Sequence, residues 1–394
     1  MSVRKIKDGV YAVGVNHWDR KLFDEIIPLP NGTSYNSYLI IGSQYTALID
    51  TVDPALQDGL INNLKEFKDL KVDYIISQHA EQDHSGSIPK ILEMYPDAKV
   101  VTNEKCKELL IEHLGIPDEK FIVIKDYDKL SLGNKTLTFI FTPWVHWPET
   151  MSTYLQEDKI LFTCDFFGSH YATSELYAKN SEIVLEGAKR YYAEIMMPFR
   201  NFIKSNINKI EKFDFEIIAP SHGPMWNDPK FIINAYLDWI SPVVKNEVVV
   251  LYTSMHGSTK VIVDELYNRL VENGIKVTPF NLVSADLGEI AISLVDAATI
   301  IFAFPTVLTG PHPLGASITY FVNAIKPKTK FASFITSYGW GGMTIKWVKE
   351  HIGNLKVEML GELEFKGLPK KEDIEKVNEI VMRIVEAHKS IGIL

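Results

Sequence analysis

Hydrophobic residues change their rhythm partway along this chain. Short apolar runs come first, YAVGV, SYLIIG and TALIDT, separated by turns rich in Gly, Pro, Asn and Asp, the mark of short strands. Strands then alternate with helices: VDYIIS, a helix near 88–95, AKVVTN, a helix near 104–114, and the later strands TLTFIFT, KILFTCD and EIIAP. In ISPVVKN, residues 240–246, a proline ends a helix, so a domain boundary is expected there, dividing the chain into 1–246 and 247–394. From Glu247 the pattern is stricter. EVVVLYT is an unbroken run of the kind that forms a strand buried on both faces. A helix over 258–273 follows, with Gly274 as its C-cap. Then come KVTPFNL, a helix near 287–294, ATIIFAF, a helix near 314–325, KFASFIT, a helix near 343–352, KVEML and a long last helix. Such alternation predicts a doubly wound α/β domain, a five-stranded parallel sheet covered by helices on both faces.

Composition narrows the class. At 394 residues the chain exceeds one ordinary core, and 46% hydrophobic with 23% charged residues is typical of globular proteins. A formal net charge of −9 argues against a nucleic-acid partner, which needs clustered Lys and Arg. No stretch approaches the roughly 18 continuous apolar residues that suggest a membrane span. The opening MSVRKIKDGVYAVG lacks the apolar core of a signal peptide, so a cytoplasmic location is expected. Cys106 and Cys164 are the only cysteines and form no CxxC pair, which excludes a cysteine-held iron–sulfur or rubredoxin centre within these residues.

The densest chemistry lies directly after VDYIIS, in Ser77-Gln-His-Ala-Glu-Gln-Asp-His-Ser-Gly86. His79, Glu81, Asp83 and His84 fall within six residues, at the strand end where open α/β sheets bind ligands. If this loop is extended, alternate residues point the same way, and His79, Glu81 and Asp83 converge. His146 after TLTFIFT, Asp165 at the end of KILFTCD and His222 after EIIAP occupy equivalent places. A single histidine at a strand end is ordinarily a hydrogen-bonding turn residue, and Asp165 alone is a turn former. Packed like charges, however, repel unless a cation neutralises them, so the set as a whole points to metal. His17, His113, His256, His312, His351 and His388 stand outside it, and His170, near Asp165 in sequence, is a candidate for supporting a ligand from behind.

The run HAEQDH with its later His, Asp and His resembles the metallo-β-lactamase superfamily, whose hydrolases carry H-x-H-x-D-H. Here Glu81 replaces the second histidine, and H-x-E-x-D-H is similar to the flavodiiron proteins, also called A-type flavoproteins. A hard carboxylate in place of an imidazole shifts a site from zinc toward iron. The resemblance implies a metallo-β-lactamase-like αβ/βα sandwich in which His79, Glu81 and His146 hold one iron, Asp83, His84 and His222 the other, and Asp165 bridges them. Zinc would imply hydrolysis, whereas a pair of irons can reduce a bound diatomic molecule.

The second half carries three loops at corresponding strand ends. Thr253-Ser254-Met255-His256-Gly257-Ser258-Thr259 follows a strand and opens a helix, a ready phosphate site of hydroxyls and free N–H groups. It is neither a Walker A loop nor G-x-G-x-x-G. Hydroxyl-rich turns before helices are also common simple N-caps. The loop resembles the FMN phosphate loop of flavodoxins, T/S-x-T-G-x-T, with Met255 and His256 as departures. Pro305-Thr306-Val307-Leu308-Thr-Gly310 and Ser337-Tyr338-Gly339-Trp340-Gly341-Gly342 match the two loops with which flavodoxins sandwich the flavin ring. Glycines there let backbone approach the ring, and Tyr338 or Trp340 offers an aromatic face.

Flavodiiron proteins combine these two domains in this order, and the resemblance covers essentially the whole chain. It implies reduction of dioxygen to water, of nitric oxide to nitrous oxide, or both, with FMN passing electrons to a di-iron centre. It also implies a head-to-tail homodimer or dimer of dimers, and an external donor, rubredoxin first and a reduced deazaflavin second. Two other readings fit parts of the sequence: a zinc-dependent hydrolase with an accessory flavodoxin domain, and an electron carrier whose metals are structural.

Overall fold

A computed structural model describes residues 3–179 and 182–394. The chain divides into two compact units, one of residues 1–192 and 199–240, the other of residues 193–198 and 241–394. Among the described residues no helix is long and apolar enough to cross a membrane.

In the first unit two sheets share a core. The larger has seven strands in the order Arg4–Lys7, Val10–Ala12, Tyr38–Ile41, Thr46–Ile49, Tyr74–Ile76, Lys99–Thr102 and Phe121–Val123. Its first four strands pair antiparallel and its last four parallel. The smaller sheet runs Lys129–Ser131, Thr136–Phe141, Met151–Leu155, Ile160–Cys164 and Ile217–Pro220, with only the last pair parallel. Period-two alternation assigns the faces. Ile40, Ala47, Ile49, Ile76 and Val101 pack with Phe139, Met151, Leu155 and Phe162 between the sheets. Their neighbours Leu39, Leu48, Ile75 and Val100 face the helices Gln57–Lys65, Ile88–Met94 and Glu104–Leu114 through Leu60, Leu64, Ile88, Ile91 and Leu110. Because both faces of the large sheet are covered, its inner strands are buried throughout and read in sequence as plain apolar runs.

The second unit is built on the expected five-stranded parallel sheet, to which the short strand Gly310–Pro311 adds an antiparallel pairing at the end of Ala297–Val307. Its strands are Lys245–Tyr252, Lys276–Asn281, Ala297–Val307, Phe331–Tyr338 and Glu358–Lys366, in the spatial order second, first, third, fourth, fifth. The helices Ser258–Glu272 and Lys371–Ser390 cover one face, where Ile262, Leu266, Val377, Ile380 and Ile384 pack on Val248, Val250, Ile301, Ala303 and Leu363. The intervening strand residues Val249, Leu251, Ile300, Phe302 and Phe334 are equally buried, and Phe302 stacks on Phe334 with centroids 5.7 Å apart.

Two expected elements shift. The last strand is Glu358–Lys366 rather than KVEML, residues 356–360. It is an edge strand, half exposed in alternation, so its signal is the interleaved Leu360, Leu363 and Phe365 rather than a solid apolar run. The segment after VDYIIS is not extended throughout, because Gln82–Ser85 forms one helical turn with Glu81 as its N-cap residue.

Candidate metal centre and flavin cradle

That helical turn redistributes the ligand candidates. In an extended run His79, Glu81 and Asp83 would share one side. In the fold, His79, Glu81, His146 and Asp165 bring one donor atom each to within 4.8 Å of one another, and Asp83, His84 and His222 form a second such group. Each comes from a strand end: His79 and the turn follow Tyr74–Ile76, Asp165 follows Ile160–Cys164, and His222 follows Ile217–Pro220. Longer loop lead-in carries His146 from Thr136–Phe141.

Asp165 stands between the groups. Its Oδ2 lies 3.4 Å from His79 Nε2 and 3.5 Å from His146 Nε2, while Oδ1 lies 3.0 Å from His84 Nε2 and 3.3 Å from His222 Nε2. Glu81 Oε2 lies 3.0 Å from His79 Nε2 and 3.1 Å from His146 Nε2. Asp83 reaches His84 at 3.3 Å with one oxygen and His222 at 3.2 Å with the other. Despite this proximity, both oxygens of Asp83 and Asp165 and both ring nitrogens of His84 are buried without an aligned hydrogen bond. Lone pairs that crowd together without pointing at one another converge on a common point, which is what a cation requires and a hydrogen-bond network does not.

Charge tells the same story. Burial pushes the imidazoles toward the neutral form, yet the carboxylates prevail, raising His146 to about 9 and His222 to about 10. His79 and His84 are raised too, against their burial. Burial favours the protonated form of Asp165, but His84, His146 and His222 hold its carboxyl well below the usual range. A site that gathers protons this strongly is one that a dication can occupy in their place.

Several residues outside the expected set hold these groups in position. Glu149 is 2% exposed, and its Oε1 accepts from His79 Nδ1 at 2.6 Å and from the Ala80 amide at 3.1 Å. His222 Nδ1 donates to the Ser34 carbonyl at 2.7 Å. Asp50, at the end of Thr46–Ile49, accepts from the Gln78 amide and side chain at 2.8 Å each and from Ser221 Oγ at 3.3 Å, tying three strand ends together. Asp50 and Cys164 both take φ of +51°, an uncommon backbone for non-glycine residues that the surrounding contacts hold in place. Asp50 was legible by the same rule that found Asp165, a carboxylate at a strand end. Glu149 was not, since it acts on a ring nitrogen 70 residues away. His170 joins neither group. Its Nδ1 lies 3.0 Å from Thr33 Oγ1 and its ring sits edge-on to His222 with centroids 4.9 Å apart. A cavity of about 500 Å³, bordered by Phe23, Asp24, Asp53, Glu81, Asp83 and Trp147 among others, opens beside the two groups.

In the second unit the three loops surround a cavity of about 330 Å³. Ser254, Met255, His256, Ser258 and Thr259 line it from the first loop, Pro305 and Thr306 from the second, and Ser337, Tyr338 and Gly339 from the third. Gly367 and Leu368, which follow the last strand, also line it and were not anticipated. Thr253, Gly257, Val307, Leu308, Gly310, Trp340 and Gly341 flank the cavity in sequence without lining it, and Leu308 and Trp340 are 85% and 74% exposed. Thr259 Oγ1 meets Ser337 Oγ at 2.9 Å, and Thr306 Oγ1 meets Thr344 Oγ1 at 2.9 Å, so hydroxyls lock the loops together. Gly257 turns into the helix Ser258–Glu272 at φ +88°, Ser254 Oγ accepts from the Gly257 and Lys260 amides at 3.1 and 3.3 Å, and Thr253 Oγ1 is buried without a partner. A helix N-terminus beside a cavity lined by hydroxyls suits a phosphate.

Known proteins share this arrangement. A family described as "ODP family beta lactamase" matches residues 33–223. A nitric oxide reductase of Moorella thermoacetica is 34% identical, over 96% of this chain and 97% of its own. The chain belongs to the flavodiiron protein family. A methanogen relative from Methanothermobacter marburgensis, an oxidase named for reduced coenzyme F420, is 30% identical over 95% of this chain and 96% of its own. The rubredoxin oxygen:oxidoreductase of Desulfovibrio gigas superimposes with a TM-score of 0.95 at 27% identity, covering 99% of each chain. The first unit is therefore a metallo-β-lactamase-like sandwich and the second a flavodoxin-like sheet. As a flavodiiron protein the chain is an oxidoreductase, and the hydrolase reading gives way.

Proposed function

We propose that this flavodiiron protein reduces dioxygen to water, nitric oxide to nitrous oxide, or both, at two irons supplied with electrons through FMN. The observation that carries the reading is Asp165, whose two oxygens serve two separate groups of histidine and carboxylate donors. His79, Glu81 and His146 would hold one iron, Asp83, His84 and His222 the other, with Asp165 between them. Glu81 in place of a histidine favours iron over zinc. When bound, the irons supply reversible one-electron chemistry and the FMN converts paired electrons to single ones.

The protein's own contribution is positional. Glu149 and the Ser34 carbonyl orient His79 and His222 so that Nε2 of each would be free to hold a metal. Burial keeps bulk water from His79, Asp83, His84, Asp165 and His222, while the partly exposed Glu81 and His146 and the cavity beside Glu81 and Asp83 are the entry for a small molecule. In the 247–394 domain the first loop would hold the FMN phosphate at the N-terminus of Ser258–Glu272, while the loops at Pro305–Thr306 and Ser337–Gly339 flank the ring. Tyr338, lining the cavity, is better placed than the exposed Trp340 to stack on it. We assign metal chemistry to residues 1–246, and we expect a cytoplasmic head-to-tail homodimer or dimer of dimers, in which one subunit's FMN meets its partner's irons. The named substrates of the relatives offer rubredoxin as donor first and a reduced deazaflavin second.

The test is elemental analysis and absorption of protein purified anaerobically, followed by turnover of dioxygen and nitric oxide with each donor. About two irons and one FMN per chain, with reductant-dependent consumption of either gas, is the expected result. Zinc in place of iron after growth in iron-rich medium would overturn the proposal.

A further inference from the structure

We infer that Glu149 makes the two metal positions electronically unequal, so that the ion beside His79, Glu81 and His146 is the more readily oxidised of the pair. The inference rests on the di-iron reading above. The donors themselves are nearly balanced between the two groups. Asp165 gives one oxygen to each, Glu81 serves the first and Asp83 the second. Asp50, buried behind the site, acts on both His84 and His79, on His84 the more strongly, but it hydrogen-bonds to neither and instead accepts from Gln78 and Ser221. The asymmetry lies one bond further out. His79 Nδ1 donates to a full carboxylate at 2.6 Å, whereas His222 Nδ1 donates to a neutral backbone carbonyl at 2.7 Å, and His84 Nδ1 has no hydrogen-bond partner.

A carboxylate on Nδ1–H draws the proton toward itself and makes Nε2 a stronger electron donor, which favours the higher oxidation state of a bound ion. A carbonyl dipole does this far less. Glu149 is also fixed in place: the Ala80 amide donates to the same Oε1 at 3.1 Å, and Asn103 Nδ2 donates to the Glu149 carbonyl at 2.7 Å. Its charge is 2% exposed and therefore poorly screened. In a one-electron-reduced centre the ferric ion would then reside with His79, and the ferrous ion with His222.

Glu149→Gln removes the charge and keeps a hydrogen-bonding side chain of the same length. The experiment is a redox titration of this variant, of Glu149→Asp and of the native protein, followed by electron paramagnetic resonance of the one-electron-reduced form, with iron and FMN measured on each. The expected result for Glu149→Gln is two irons retained and an upward shift of the more negative of the two di-iron potentials, larger than that of the other. The window between them narrows, and the greatest attainable population of the one-electron-reduced form falls severalfold. Glu149→Asp, which keeps the charge, should stay near native. Unshifted potentials in a fully loaded Glu149→Gln, or a shift of the less negative potential alone, would overturn the inference. If Glu149→Gln loses iron, native potentials in a loaded Glu149→Asp uphold it, and an emptied site in both variants overturns it, since Glu149 would then hold the metals in place rather than tune one of them. Native protein without iron would instead sink the di-iron reading, a separate outcome.

Discussion

Replacing Asp165 by alanine is the most direct test of the bridge, because among the described residues no other side chain reaches both groups with separate oxygens. Its carboxylate oxygens lie 3.0–3.5 Å from four imidazole nitrogens. At such separations and an effective dielectric constant of about 20, one pair of unit charges interacts by about 5 kcal/mol. Water entering the vacated space would recover part of this, leaving a loss of about 3 kcal/mol per ion, or about two decades in affinity at each position. Both irons should therefore be lost together on purification, while FMN stays, because the flavin loops belong to a separate compact unit. Asp83→Ala provides the contrast, since Asp83 faces only His84 and His222 and its loss should empty one position first. The assay is iron by elemental analysis beside flavin absorbance, with Asp165→Asn to separate charge from shape. Full iron in Asp165→Ala would refute the bridging role, and loss of one iron alone would confine Asp165 to a single group.

Other expectations follow from the same geometry. Gly257→Val places a β-branched residue at φ +88°, a cost of about 1–2 kcal/mol, and should weaken FMN binding roughly tenfold while iron stays in place. A Cβ there meets nothing within 4 Å, so the effect is one of backbone strain, and unchanged flavin retention would move the phosphate to another loop. Stripping the metals with a chelator should make stability fall with rising pH. Protons on His146 and His222, with folded values of about 9 and 10 against about 6.5 unfolded, stabilise the fold fully below pH 6.5 and are lost through pH 9–10. The metal-loaded protein should lack this alkaline loss, and equal thermal melting profiles for the two forms would contradict it. His388 works in the opposite direction. Burial lowers it to about 4, its Nδ1 donates to Asn246 and its Nε2 accepts from Thr299, so the imidazole is neutral in the fold. Stability should drop by about 2 kcal/mol, allowing for screening, as pH falls from 6.5 to 4. Urea titrations of His388→Gln with an undiminished acid loss would assign it elsewhere.

Much of this was readable along the chain because it depends on local rules. Strands buried on both faces must be apolar throughout, and three of them between two edge strands, alternating with amphipathic helices, leave little choice but a doubly wound sheet. Strand ends are where such sheets bind, so His79, Asp165, His222 and the three flavin loops announced themselves by position. What the linear order could not decide was grouping. Glu81 and Asp83 are two residues apart and belong to different donor sets, because a helical turn at Gln82–Ser85 rotates the second away from the first. Nor could it reveal Glu149 behind His79, or Gly367 and Leu368 at the cavity of the second unit, since nothing local to those residues depends on the distant partner. Residue types and strand ends come from short-range sterics and burial, which the sequence carries in full. The direction in which each lone pair points, and which neighbour polarises which imidazole, arise only when distant strand ends are brought together by the packed sheets.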